Sequence, residues 1–169
     1  MDTIEAIMTR RSIRRFTPQA VPEEEVDLLL RAAMQAPSAG NGQPWHFVVI
    51  TDRKLLDQVP NFHPYSNMIL EAPLAILVCA DMRKPKRPHY CEEDCSAASE
   101  NLLLAAHARG LGAVWLGIAH NQEREDGMRH LVGLPAKVQP ISLVVVGYPA
   151  EKPPREDRYK LERLHRNKW

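Results

Sequence analysis

Seven consecutive apolar residues, Leu74-Ala75-Ile76-Leu77-Val78-Cys79-Ala80, follow Pro73 and constrain the fold more than any other stretch of this chain. The run is far too short to cross a bilayer and has the length of a buried strand. Trp45-His46-Phe47-Val48-Val49-Ile50, Gly112-Ala113-Val114-Trp115-Leu116-Gly117-Ile118 and Pro140-Ile141-Ser142-Leu143-Val144-Val145-Val146-Gly147 read as three more strands. Helical patterns fall between them. This alternation predicts helices covering a central sheet.

The helices carry their own punctuation. Asp2 caps a first helix, with Glu5 three residues on and Ile4, Ile7 and Met8 on one face. Val21-Pro22-Glu23-Glu24-Glu25 opens a second, whose buried stripe is Val26, Leu29, Leu30 and Ala33 and which Pro37 ends. Residues 52–59 suggest a short helix and 61–68 a loop. The longest helix spans Glu92 to Arg109, with Ala97, Ala98, Asn101, Leu102, Ala105 and Ala106 near one face and Gly110 just beyond its end. Asn121 caps the last helix, Met128, Leu131 and Val132 point inward, and Gly133 closes it. With 169 residues and no internal repeat, one domain over 1–169 is expected.

Charge narrows the function classes. Lys+Arg number 22 and Asp+Glu 21, a net charge of +1, so a general nucleic-acid binder is disfavoured and any anion site must be local. No apolar run reaches bilayer length, and the N-terminus lacks a basic-then-apolar leader. The expectation is a cytoplasmic protein with neither a nucleic-acid nor a membrane partner. Cys79, Cys91 and Cys95 form no disulfide framework. Cys91-x-x-x-Cys95 with His89 nearby falls short of the four ligands of a closed zinc site, so no metal is expected.

One place concentrates positive charge. Arg10-Arg11-Ser12-Ile13-Arg14-Arg15 sets four arginines and a serine beyond the first helix, which Pro18 keeps from continuing. Guanidinium forks match phosphate oxygens, and a hydroxyl can complete such a site. Pro37-Ser38-Ala39-Gly40-Asn41-Gly42-Gln43-Pro44 is a loop of small and amide residues feeding a strand, a surface that a ligand can approach closely. His46, in an apolar strand, reads as a core histidine. The loop 83–88 is basic and expected to be exposed and mobile. The tail 151–169 has seven basic residues against four acidic and ends in Trp169, so it is expected to pack on its own body or on a second subunit.

The usual catalytic groupings are missing. There is no Gly-x-Ser-x-Gly, no Walker loop and no Rossmann fingerprint; Gly110-Leu111-Gly112 precedes a strand rather than following one. Glu92, Glu93 and Asp94 open a helix, where they favour the dipole. An anion site without a nucleophile or acid-base pair suits a protein in which a phosphorylated cofactor carries the chemistry.

Arg10-Arg11-Ser12-Ile13-Arg14, Pro37 to Trp45, Gly110-Leu111-Gly112-Ala113-Val114-Trp115-Leu116-Gly117, Gly147-Tyr148-Pro149 and the tail with Asp157-Arg158-Tyr159 and Lys168-Trp169 occur in order. Together they resemble the FMN-dependent nitroreductase family over essentially the whole chain. The resemblance implies an α+β fold with a central mixed or antiparallel sheet flanked by helices. It implies a homodimer with FMN at the interface and a C-terminal tail crossing onto the partner subunit. By similarity, Arg10, Arg11 and Ser12 hold the FMN phosphate and ribityl chain, Arg158 returns to the phosphate, and Arg155 assists. Arg14 sits by N1/O2 of the ring, where positive charge tunes the flavin. Pro37, Ser38, Ala39 and Asn41 reach the partner's flavin, and the backbone around Leu116 and Gly117 faces N5. NADH or NADPH gives a hydride to the flavin, and a small-molecule acceptor such as a nitroaromatic or quinone takes the electrons in ping-pong fashion. The alternatives are a non-catalytic FMN-binding dimer, reductive dehalogenation or flavin breakdown. The chain is short for this family, so the helical insertion that shapes the pocket of longer members is missing. Glu71 stands where some of those members place an asparagine.

Overall fold

The computed structural model describes residues 1–83 and 85–169, so Lys84 of the basic loop lies outside the described residues. In chain order come helices α1 (Thr3–Thr9) and α2 (Glu23–Met34), strand β1 (Trp45–Ile50), the one-turn α3 (Arg53–Leu56) and β2 (Leu74–Asp81). Then follow α4 (Cys91–Ala108), β3 (Gly112–Gly117), α5 (Gln122–Val132) and β4 (Val138–Gly147). The strands form one four-stranded sheet in the order β1-β2-β4-β3, and every neighbouring pair is antiparallel.

The apolar runs of β2 and β4 are the two inner strands because both of their faces are covered. Side chains alternate across a strand, so Leu74, Ile76 and Val78 join Val144, Val146 and the stripes of α2 and α4 on one face. Ala75, Leu77 and Cys79 join Leu143 and Val145 on the other, against Leu56, Ile69 and Met128. Each large side chain so buried contributes roughly 1.5–3 kcal/mol. Pro140 sits inside β4, where a proline cannot donate to the ladder. The register shifts between Val78 and Cys79, opposite it, as a bulge must where the hydrogen bond is missing.

Alanines let α4 pack closely on α2, and Asn101 Nδ2 donates to the Ala32 carbonyl across the contact at 3.0 Å. Asn121 caps α5 through its side chain, and Gly133 takes the left-handed conformation at φ 66° that closes it. All three cysteines are buried, and Cys95 Sγ donates to the Cys79 carbonyl. Burial pushes the Cys79 thiol up to about 12 and the Cys95 thiol higher than its ordinary value, so both stay protonated.

Four expectations need correction. The 52–59 helix is only α3, because Pro60 leads the chain into a 3-10 turn at 59–61 instead. Part of the 61–68 loop is a second 3-10 turn, Asn67–Leu70. His46 is no core histidine: it lies on the exposed face of β1, with Nε2 3.5 Å from Asp81 Oδ2. On α1 the face carrying Ile4, Ile7 and Met8 is exposed, Ile4 by 68%, and Ala6 is the residue turned inward.

Candidate functional site

The arginine stretch is placed by two glycines. Gly112 of β3 pairs with Gly147 of β4 at one end of the sheet. A Cβ on Gly112 would lie 2.7 Å from Ile13 Cγ2, and one on Gly147 would lie 2.7 Å from Pro73 Cδ and 2.9 Å from Phe16 Cδ1. The absent side chains leave a hollow into which Ile13 and Phe16 sink, and both are buried. The backbone follows them. Ser12 bridges Ala113 in parallel fashion, Ile13 N–H donates to the Ala113 carbonyl at 3.0 Å, and Phe16 bridges Pro149.

With Ile13 and Phe16 inward, the basic side chains take the outer side. Arg10 pairs with Glu100 at 3.4 Å and Arg15 with Glu71 at 3.2 Å. Arg11 donates to the carbonyls of Arg10, Pro154 and Glu156, which staples the start of the tail to the body. Glu151 accepts the amide N–H groups of Arg14 and Arg15, leaving the exposed Arg14 guanidinium free of that contact. A groove of about 700 Å³ runs beside the stretch, with Arg11, Ile13, His107, Glu151, Lys152 and Arg155 among its walls. Arg158 folds back onto Glu156 at 3.0 Å. Beyond Pro153 the tail is exposed, and Trp169, fully exposed, stacks on His165 with centroids 4.3 Å apart.

The loop of small residues is held elsewhere, at the N-terminal end of α4. The Ala39 N–H donates to Asp94 Oδ1 at 2.8 Å and the Gln43 N–H to Ser38 Oγ at 3.1 Å. Gly40 and Asn41 turn left-handed at φ 57° and 53°. Pro37 and Asn41 are exposed, Ser38 and Ala39 half-buried, and the neighbours of Gly40 are Arg87 and Lys86 rather than the arginine stretch. Within one chain, therefore, the two sequence motifs do not meet. Asp94 is only 6% exposed and is the residue that pins the loop. Asp94→Ala leaves the Ala39 N–H without its partner and is expected to cost about 1–3 kcal/mol. A chemical-denaturation series checks this.

The outer edge of β3 joins the arginine stretch to a third group. Ala113 turns its carbonyl outward to Ile13, and by the two-residue repeat Trp115 and Gly117 turn their main-chain groups the same way. Leu116, by that parity, turns its amide and carbonyl to β4 and buries its side chain. At Gly117 the carbonyl accepts from His63 Nε2 at 3.1 Å and from Arg124 Nη1 at 3.0 Å. A Cβ on Gly117 would meet nothing within 4 Å, so the space on the side-chain side of this residue is open. The Arg124 guanidinium lies 5.6 Å from the centroid of the Tyr65 ring.

Sequence reading missed His63, Tyr65, Arg124, Asp94 and Glu151. His63 stands between loop signals in the chain yet is 1% exposed, and only its long-range bond to Gly117 reveals it. Burial lowers its pKa first; the Gly117 carbonyl opposes this and the Arg124 charge adds to it. The unfolded chain takes up a proton below about 6.5 that folded His63 refuses, so stability rises with pH up to that value and falls below it. His107 is lowered by burial in the same direction. His63→Gln is therefore expected to flatten part of that slope, as read from urea midpoints at about pH 5.5 and 7.5.

Known proteins are similar to this chain in sequence and fold. A family model described as the nitroreductase family matches residues 7–62 and 62–148. A "Putative NADH dehydrogenase/NAD(P)H nitroreductase" of Methanothermobacter thermautotrophicus is 48% identical, over 100% of this chain and 88% of that protein. The crystal structure of the like-named protein from Parabacteroides distasonis is 40% identical and superposes with a TM-score of 0.94, covering 99% of this chain and 98% of that one. The structure of a "putative nitroreductase in complex with fmn" from Desulfovibrio desulfuricans is 34% identical, with a TM-score of 0.86 over 100% and 98% of the two chains. On the family match, the order of the motifs and the antiparallel sheet that carries them, this chain belongs to the nitroreductase family.

Proposed function

We propose that this protein is an FMN-dependent NAD(P)H oxidoreductase working as a homodimer in the cytoplasm. The observation that carries the reading is the glycine hollow, which fixes a row of guanidinium groups against one end of the edge strand β3. The residues fit the cofactor. The edge from Ala113 to Gly117 is about 13 Å long at the usual rise per residue, with cations and a hydroxyl at one end and an open glycine at the other. An anionic phosphate suits the first end, and a flat ring needs the absence of a side chain at the second.

Arg10, Arg11 and Ser12 would hold the phosphate and ribityl chain, with Arg155 and Arg158 joining them from the tail. Arg14, whose exposed guanidinium is in none of the ion pairs among the described residues, would lie beside the ring as a positive charge. Gly117 and the outward backbone beside Leu116 would face the middle of the ring. Pro37, Ser38, Ala39 and Asn41 would approach from the second subunit, since within one chain they stand apart from the arginines. Apolar residues of α1 and of the tail support the dimer: Ile7, Met8, Tyr159, Leu161 and Leu164 are all exposed in the single chain. In that dimer the tail would cross onto the partner.

FMN, when bound, accepts a hydride from NADH or NADPH and passes the electrons to a second small molecule, such as a nitroaromatic or quinone, in alternating half-reactions. The protein contributes positioning, a cationic flank and exclusion of water. No helix among the described residues is long and apolar enough to cross a membrane. The test is the flavin content and mass of the purified protein. A dimer carrying one FMN per chain is expected; a monomer that takes up no added FMN would refute the proposal.

A further inference from the structure

Arg124 is a cation without a counter-charge at the open end of β3. None of the ion pairs among the described residues includes it, whereas Arg10, Arg15, Arg53, Arg83, Arg109 and Arg158 each meet a carboxylate. Two acids that follow it in α5 are engaged elsewhere. Glu125 accepts the His120 amide and Asp126 the Gln122 side chain. Of its own donors, Nη1 is bound by the Gly117 carbonyl, and Nε is buried with no partner. Tyr65, 69% exposed, lies under the guanidinium. His63 completes the group edge-on to Tyr65, with ring centroids 6.4 Å apart, and its buried Nδ1 also lacks a partner.

A guanidinium with unspent donors beside an exposed ring recognises one kind of ligand well. Its planar fork matches a carboxylate, and the tyrosine offers a face or edge to an aromatic body. The anchoring carbonyl belongs to Gly117, an exposed residue with nothing within 4 Å of where a side chain would start. We propose that Arg124 and Tyr65 form the specificity subsite of the flavin site and select second substrates that carry a carboxylate on an aromatic ring. This rests on the oxidoreductase reading above and names the substrate class of that same site.

The probes are 4-nitrobenzoate and the neutral 4-nitrobenzyl alcohol as acceptors for the FMN-loaded protein. The native enzyme is expected to show a KM about tenfold lower for the anion. Arg124→Gln should bring the ratio of the two KM values close to one, and Arg124→Lys should keep part of the preference. Ligand-observed NMR with benzoate and benzyl alcohol gives a readout without turnover: benzoate should bind the native protein, lose its binding in Arg124→Gln and weaken in Tyr65→Ala. If the native protein bleaches normally with NAD(P)H yet the ratio and benzoate binding are the same in Arg124→Gln, this proposal alone is overturned. A native protein that binds no FMN overturns it together with the oxidoreductase reading.

Discussion

Gly112→Ala should destabilise the fold by about 1–3 kcal/mol and weaken FMN retention at least tenfold, because one methyl group would occupy the space that Ile13 fills. The clash is with a β-branched side chain at Cβ and both Cγ atoms, which cannot swing away as a flexible tip could. Relief requires Ile13 to lift from the sheet. Lifting Ile13 breaks its N–H bond to Ala113 and carries Ser12 and the flanking arginines with it. Stability and cofactor binding therefore fall together, and a paired measurement of the unfolding midpoint and the FMN dissociation constant checks the coupling. Ile13→Ala in the Gly112→Ala background removes Cγ1 and Cγ2 but keeps the Ile13 Cβ position 2.8 Å from the added methyl, so it should restore only a small part of the retention. A variant that loses stability while holding FMN normally would separate the hollow from the site.

Arg14→Ala is expected to slow reduction of the bound flavin by about ten- to a hundredfold while changing FMN retention much less. Ile13 is buried in the hollow and Arg14 follows it outward, with its amide fixed by Glu151 and its side chain exposed. Arg11, by contrast, spends three donors on backbone carbonyls and ties down the tail. In the proposed binding mode a charge at the Arg14 position would act on the ring, where negative charge develops, rather than on the phosphate. Stopped-flow reduction under anaerobic conditions, beside an FMN titration, separates the two effects. Loss of FMN binding with normal reduction of the bound fraction would reverse the assignment.

Much of the framework was legible because its signals are local. The strands β1 and β2 and the caps at Asp2, Asn121 and Gly133 follow from apolar runs and capping residues that need no tertiary information. The arginine stretch and the small-residue loop were equally visible. The means of holding them was not. Gly112 and Gly147 read as strand boundaries, and nothing in one dimension shows that they pair and receive Ile13 and Phe16. Asp94 was hidden among three acids at a helix start, where the dipole already accounts for them. His63 and Arg124 converge on Gly117 from 54 and 7 residues away, a meeting that only the fold creates. The exposed apolar face of α1 had the same helical spacing as a core face, because spacing alone reports one apolar stripe and not what covers it.

The most direct test of the central claim is the absorbance of the FMN-loaded protein without oxygen, first with NADH or NADPH and then with an acceptor. The account predicts that the flavin bands near the usual ~450 nm bleach on the first addition and return on the second, since the cofactor carries the chemistry and the polypeptide holds it. Bound flavin whose bands NADH and NADPH both leave unchanged would contradict the account and favour a dimer that binds FMN without turning it over.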